Sequence, residues 1–218
     1  PNSINNRGIL LYNDKKLDKK FIFIGVGEML YKIDAKFGTE VLSFGENGAV
    51  NVNSFQVAPV IYKDIVIIPN TQKSEIVGVE KNTGKIVFKK NIHPKNKFDF
   101  YSSPWGGAAL DKKNGIYFVV TGNPKPSILG NERPGDNKNS CSIVAFDINK
   151  KKIIWSFQDV IHDLWDYDIS APPIIADLKI DEFLLEVVIV TTKTGNIYVF
   201  ERKTGKSLYD INYKETIK

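Results

Sequence analysis

Three carboxylates and two aromatic rings fall within six residues at Asp163-Leu164-Trp165-Asp166-Tyr167-Asp168, directly after His162. Carboxylates spaced two or three apart repel one another unless a cation or a proton sits among them, so the cluster asks for a metal ion, a general base, or both. Aspartate is a poor helix former and is depleted in strands. That puts the cluster in a loop, where rigid scaffolds tend to present reactive groups. Standing alone, it would read as a solvated acidic turn. Other candidates accompany it: Trp105 beside Gly106 and Gly107, Asn123 in Thr121-Gly122-Asn123-Pro124, Lys193 in Thr192-Lys193-Thr194-Gly195-Asn196, and Arg7 in Asn6-Arg7-Gly8. Each has a plainer explanation by itself. Trp105 suits a core position between sheets, Asn123 suits a turn for backbone reasons, and Lys193 and Arg7 are ordinary surface types. His162 is expected to orient the loop by hydrogen bonds and not to bind metal.

The elements that must position these residues are strands. Apolar runs rich in Ile, Val, Phe and Tyr recur at residues 21–26, 65–68, 116–120, 187–191 and 196–200, separated by turns of Gly, Asn, Pro and Lys. No stretch sustains a helical period, so the chain is expected to be all-β. Four segments share one design, an acid that ends a strand, a turn, and a large apolar residue eight positions after the acid. They are Asp34…Gly38…Leu42, Glu80…Gly84…Phe88, Asp147…Lys151…Trp155 and Glu201…Gly205…Tyr209. The acid would tie down the hairpin turn while the ring lies flat between neighbouring sheets. One such repeat per four-stranded antiparallel blade predicts a β-propeller. A β-sandwich is the alternative, but it gives no reason to hold the acid-to-ring interval constant.

The 218 residues, 42% hydrophobic and 25% charged, suffice for one sizeable core. The net charge of +5 comes from lysines in turns, such as Lys15-Lys16, Lys112-Lys113 and Lys150-Lys151-Lys152. Without a basic helix or a basic stripe interleaved with aromatics, nucleic acid is not an expected partner. The single Cys141 excludes an intramolecular disulfide and a multi-cysteine metal site. No apolar run approaches the length of a bilayer span, and the first residues do not carry a signal-peptide pattern, which is expected to mean little for a partial chain. The chain begins at Pro1 in mid-pattern and stops at Lys218 just after a strand. It is therefore expected to be part of a longer protein, with residues 1–218 forming about four blades.

The repeat resembles the tryptophan-docking motif of the eight-bladed quinoprotein dehydrogenases, which use pyrroloquinoline quinone (PQQ). Only Trp155 keeps the tryptophan; Leu42, Phe88 and Tyr209 stand elsewhere, and Lys151 replaces one turn glycine. The site motifs are more specific. The run from His162 to Asp168 is similar to the family's catalytic loop, with Asp166 at the catalytic aspartate. Trp105-Gly106-Gly107 resembles the cofactor-stacking tryptophan, and Asn123 the metal-binding asparagine. Lys193 matches the basic residue at the quinone oxygens and Arg7 an arginine that also contacts the cofactor. Arg133-Pro134-Gly135-Asp136-Asn137 followed by Ser142-Ile143-Val144-Ala145 is another family run. The likeness covers nearly the whole chain and is strongest to the membrane-associated glucose, polyol and quinate branch. Pro1-Asn2 stands where the methanol-type branch carries adjacent cysteines.

The resemblance implies a PQQ-dependent dehydrogenase oxidising a sugar, polyol or other alcohol, with electrons passing to membrane ubiquinone or another acceptor through the parent protein. It implies a periplasmic, membrane-associated location. Asp166 would be the general base and Lys193 would stabilise negative charge on the quinone. Trp105 would stack on the cofactor and Arg7 would pair with its rim. A hard cation, Ca²⁺ with Mg²⁺ or a lanthanide as alternatives, would take oxygen from Asn123 and Asp166. The family's acidic ligand belongs in the loop after residues 65–68. Glu75 is the only carboxylate in the shortened stretch 69–75, which makes it the candidate, and Asp168 is the candidate additional oxygen. Two other readings stay open, a non-catalytic PQQ-repeat scaffold that binds proteins and an inactive, decayed copy. The isolated 218-residue chain is expected to be catalytically silent.

Overall fold

The structure, a computed structural model, describes residues 6–94 and 100–211. Pro1 and Asn2, which bear on the branch comparison, lie outside the described residues. Among the described residues, four larger antiparallel sheets follow one another along the chain, with one two-stranded sheet beside the third. The first holds β1 (Leu10–Asp14), β2 (Lys19–Val26), β3 (Met29–Asp34), β4 (Thr39–Glu40) and β5 (Ala49–Asn51), with β4 and β5 both on the outer edge of β3. The second runs in order through β6 (Val60–Tyr62), β7 (Ile65–Asn70), β8 (Glu75–Glu80) and β9 (Ile86–Asn91). A short β10 (Tyr101–Ser102) precedes the third sheet, which begins with β11 (Ala108–Asp111) and β12 (Ile116–Val120). β13 (Pro124–Lys125) leaves that path to pair with β10, and β14 (Ser142–Asp147) and β15 (Lys152–Gln158) complete the sheet. The fourth is β16 (Ile174–Ile180), β17 (Phe183–Thr191) and β18 (Ile197–Glu201). Apart from one 3₁₀ turn at Gly130–Glu132, the described residues are strand, turn and loop.

Side-chain alternation explains why the inner strands read as unbroken apolar runs. Successive residues point to opposite faces of a sheet, and here both faces are covered by neighbouring sheets. In β12, Tyr117 and Val119 pack with Ile67, Ile76 and Phe88 of the second sheet. Ile116, Phe118 and Val120 pack with Val188, Val190 and Phe200 of the fourth. The second sheet repeats this, sending Val66 and Val77 toward Phe23, Leu30 and Phe44 of the first. Each such side chain contributes about 1.5–3 kcal/mol on burial. Sheets packed face to face in chain order are the blades of a propeller.

The repeat acids behave as expected. Asp34 Oδ1 accepts the amides of Lys36 (2.9 Å) and Phe37 (3.3 Å), and Gly38, at φ +68°, donates back to the Asp34 carbonyl. Glu80 and Asp147 accept turn amides in the same way. Lys151 takes the left-handed position without being glycine, at φ 52°. Trp155 lies between Phe118 and Phe200, at centroid distances of 5.7 and 5.6 Å, and its Nε1 donates to the Arg202 carbonyl of the fourth sheet (2.9 Å). Phe88 bridges the second and third sheets, 5.6 Å from Phe146.

Two of the four ring positions depart from the pattern. Leu42 is 69% exposed and Tyr209 62% exposed. After β4 the chain leaves the sheet and returns as β5, so the buried ring of the first repeat is Phe44, edge-on to Phe23 at 5.6 Å. No described sheet lies beyond the fourth to cover Tyr209. The stretch 69–75 also differs from expectation. Pro69 and Asn70 finish β7, and Glu75 opens β8, leaving a four-residue turn closed by Asn70 Oδ1, which accepts the Gln72 and Lys73 amides.

Candidate functional site

The acidic loop connects β15 to β16, and its shape is set by its own first carboxylate. Asp163 is buried; Oδ1 accepts the Trp165 amide (2.9 Å) and Oδ2 the Tyr167 amide (3.0 Å). This carboxylate-capped turn throws Asp166 outward in a left-handed conformation, φ 63°. Such a backbone costs a non-glycine residue about 1–3 kcal/mol and persists only where its surroundings enforce it. Arg133 enforces it from below. It is fully buried, donates Nε to the Pro126 carbonyl (2.8 Å) and Nη1 to Asn137 Oδ1 (2.6 Å), and gives Nη2 to the carbonyls of Ser127 and Asp163. His162 donates Nδ1–H to the Gly135 carbonyl at 2.7 Å, the orienting role expected of it.

Asp168, at the far end of the loop, is buried and joins three segments. Its Oδ1 accepts the Asn123 amide at 2.6 Å and its Oδ2 accepts Lys193 Nζ at 2.8 Å. Gly122 makes this approach possible, because a Cβ there would collide with Asp168 Oδ1 and Trp105 Nε1. Lys193 extends from the β17–β18 turn and also reaches the Asp166 carbonyl (2.8 Å) and Asp166 Oδ2 (3.1 Å). Partial burial pulls the Lys193 ammonium down, but the hydrogen bonds it donates to Asp168 and Asp166 outweigh that and leave its pKa raised. The lysine therefore stays charged at neutral pH. Trp105 is half-buried, and the Arg7 guanidinium carbon stands 4.9 Å from its ring centroid. Arg7 is held there by its amide, which donates to the Gln56 carbonyl (2.9 Å).

Trp105, Asn123, Asp166, Asp168 and Lys193 thus meet at one place, with Arg7 at its edge. The Arg7 guanidinium lies over the Trp105 ring, and an aromatic ring, a guanidinium and an ammonium brought together suit a planar, electron-poor, anionic heterocycle. The fit to a metal is only partial. Among the described residues no group of three or more His, Cys, Asp or Glu side chains is arranged to hold an ion. Asn123 Nδ2 is buried without a partner. Lys193 offsets one of the two negative charges of Asp166 and Asp168. Glu75 is not joined to this group by any hydrogen bond. Its Oε2 is buried without a partner, and the adjacent Ser74 bonds to the Ser102 carbonyl (2.7 Å), opposite Pro124 in the β10–β13 pair.

Sequence reasoning missed the braces. Asp163 was visible in the acidic cluster but not as a turn cap, and Arg133 stood only as part of a family run. The spacing Arg133…Asn137, reciprocated by Asn137 Nδ2 donating to the Arg133 carbonyl (2.7 Å), was the available signal. Cys141 is not a reactive group. Burial, and then the Asp163 carboxylate, push its thiol far up, which leaves it protonated and inert.

The chain is similar to quinoprotein glucose dehydrogenase A of Acinetobacter calcoaceticus, 28% identical over 88% of this chain and 28% of the relative. It is 30% identical to quinoprotein glucose dehydrogenase of Escherichia coli (strain K12), over 81% of this chain and 26% of that protein. It therefore spans less than a third of these relatives. Its backbone matches the crystal structure of quinohemoprotein alcohol dehydrogenase from Comamonas testosteroni with a TM-score of 0.75 at 24% identity, covering 96% of this chain and 35% of that one, a likeness of fold. The PQQ family model of the glucose/ethanol/alcohol dehydrogenase β-propeller domain matches residues 1–217. With that match over almost its whole length, the chain belongs to the PQQ-dependent glucose/ethanol/alcohol dehydrogenase β-propeller family.

Proposed function

We propose that this chain is the cofactor-bearing part of a PQQ-dependent dehydrogenase that oxidises a sugar, polyol or other alcohol. Residues 1–218 would form about four blades of an eight-bladed ring. The observation that carries the reading is Lys193 Nζ bonded to both Asp166 and Asp168, with Asp168 and Trp105 both close against Gly122, in a chain of this family. PQQ, when bound, supplies a quinone that accepts hydride from the alcohol carbon. Asp166 Oδ takes the hydroxyl proton as general base; its side chain is largely exposed, so a substrate can reach it. Lys193 faces the developing negative charge on the quinone side of the site. Trp105 offers the stacking face and Arg7 pairs with the acidic rim. Asn123 and Asp166 are the groups that would bind Ca²⁺, Mg²⁺ or a lanthanide, with Asp168 and Glu75 as further candidates. Electrons would leave to membrane ubiquinone or another acceptor, and the parent protein would face the periplasm from the membrane.

The test has two stages. Reconstituting the full-length parent with PQQ and Ca²⁺, followed by a dye-linked screen of aldoses, polyols, quinate-like alcohols and simple alcohols, should find turnover. Asp166→Asn should then cost about 10²–10⁴-fold in kcat; an unchanged kcat removes Asp166 as the base. The 218-residue chain alone should show no turnover, and measured oxidation by it would refute that. Two features favour one second reading, an inactive copy: only Trp155 keeps the tryptophan among the four ring positions, and the turn between Asn70 and Glu75 is short. A parent that binds PQQ yet oxidises none of these classes would select it.

A further inference from the structure

The turn that carries Lys193 is tied down by a carboxylate from a different sheet. Asp159 follows β15 and is buried, with its own amide donating to the Cys141 carbonyl (2.9 Å). Its Oδ1 accepts the Tyr198 hydroxyl at 2.6 Å and its Oδ2 accepts the Thr194 hydroxyl at 2.9 Å. Asn196 Nδ2 donates to both Thr194 Oγ1 (2.9 Å) and the Tyr198 oxygen (3.0 Å). Thr192 Oγ1 lies 2.6 Å from Thr194 Oγ1 and can fill its remaining acceptor site. With Asp159 ionised, every donor in this network finds an acceptor, and both hydroxyl protons point toward the carboxylate. Phe157, 4.7 Å from the Tyr198 ring, packs against one side of it. Lys193 sits between Thr192 and Thr194, so its backbone is clamped on both sides while its Nζ reaches the acidic loop.

We propose that Asp159 is a positioning residue, which holds the 192–196 turn through Thr194 and Tyr198 and so keeps Lys193 Nζ against Asp166 and Asp168. A long lysine on a two-stranded turn has several unconstrained rotatable bonds and loses little by pointing to solvent. Tying the turn to Asp159 through the charge-assisted Thr194 bond, while Tyr198 anchors the same carboxylate from β18, narrows where the ammonium can stand. Among the described residues Asp159 bonds to Thr194, Tyr198 and Cys141 and to neither Asp166 nor Lys193, so it acts through the turn. The geometric claim stands alone; its consequence for cofactor binding rests on Lys193 facing the quinone.

The experiment uses the full chain labelled with ¹⁵N-lysine, with Thr194→Val, Thr194→Ser, Tyr198→Phe and Asp159→Asn variants. The Lys193 ammonium resonance, assigned with Lys193→Arg, should be protected from solvent exchange in the wild type. It should be lost or exchange at least tenfold faster in Thr194→Val and Asp159→Asn, and Thr194→Ser, which keeps the hydroxyl, should restore it. Circular dichroism verifies that each variant is folded. Should Asp159→Asn fail to fold, Thr194→Val and Tyr198→Phe, which each remove one of the two bonds to Asp159 along with the hydroxyl's other contacts, decide the matter. An unchanged Lys193 signal in folded Thr194→Val and Tyr198→Phe overturns the proposal. In parallel, quenching of tryptophan fluorescence by PQQ should weaken about tenfold in Thr194→Val. If the Lys193 signal is lost while PQQ affinity is unchanged, Asp159 positions the lysine but the lysine does not face the quinone.

Discussion

The Asp168 carboxylate bridges two groups that the chain brings from opposite sides, the Asn123 amide at 2.6 Å and Lys193 Nζ at 2.8 Å. The amide bond is buried, whereas the ammonium is about a third exposed, so water screens the ion pair and the amide contact matters more for stability. Asp168→Ala strands a buried N–H and should cost about 2 kcal/mol in urea unfolding. Asp168→Asn keeps an acceptor oxygen and should cost less than half of that. Because the Lys193 pKa is raised on folding, its contribution is complete below the unfolded lysine value and fades only as pH climbs through the folded one. No loss from this pair is expected at neutral pH.

Arg133→Met should destabilise by about 3 kcal/mol, since it leaves the Pro126, Ser127 and Asp163 carbonyls without their buried donor. Limited proteolysis should then cut first within residues 161–167, the loop that Arg133 supports. Cleavage elsewhere with that loop intact would contradict the bracing role.

The Tyr117 hydroxyl is buried without a partner between the second and third sheets. An unpaired hydroxyl costs about 1–3 kcal/mol. Tyr117→Phe deletes it without changing the ring packing, and thermal unfolding should shift upward or stay level. A clear fall in the midpoint would mean that the hydroxyl has a partner in solution.

His93 makes the fold sensitive to mild acid. Burial lowers its pKa, against the opposing effect of its hydrogen bonds to the Lys138 carbonyl and Ser102. Nε2 accepts the Ser102 amide (3.1 Å), which leaves the proton on Nδ1 facing the Lys138 carbonyl (3.0 Å). The unfolded chain binds the extra proton more readily, so this contribution is present above about pH 6.5 and is lost as pH falls toward the folded value. Urea midpoints should drop between pH 7 and pH 5, and His93→Asn should flatten that slope.

Much of this arrangement could be read from the chain itself, in specific ways. The run at residues 116–120 is β12 to the residue, because five consecutive apolar side chains can be buried only if both faces of a strand are covered. The turn acids were legible for the same local reason, since an acid two or three residues ahead of a backbone amide needs no distant partner. Leu42 and Tyr209 were misread because their environments depend on what packs outside the hairpin. An interval of eight says nothing about the chain leaving the sheet after Glu40.

The sequence by itself determined the strand periodicity, the hairpin turns and the list of residues able to do chemistry, because each follows from contacts within a few positions. Only the tertiary structure decided that Lys193 lies between Asp166 and Asp168, that Gly122 leaves room for both Trp105 and Asp168, and that Asp163, Arg133 and Asp159 serve as supports. Those relationships join residues from different sheets. The stacking of blades sets their distances, and no local pattern encodes the direction in which a side chain will find its partner.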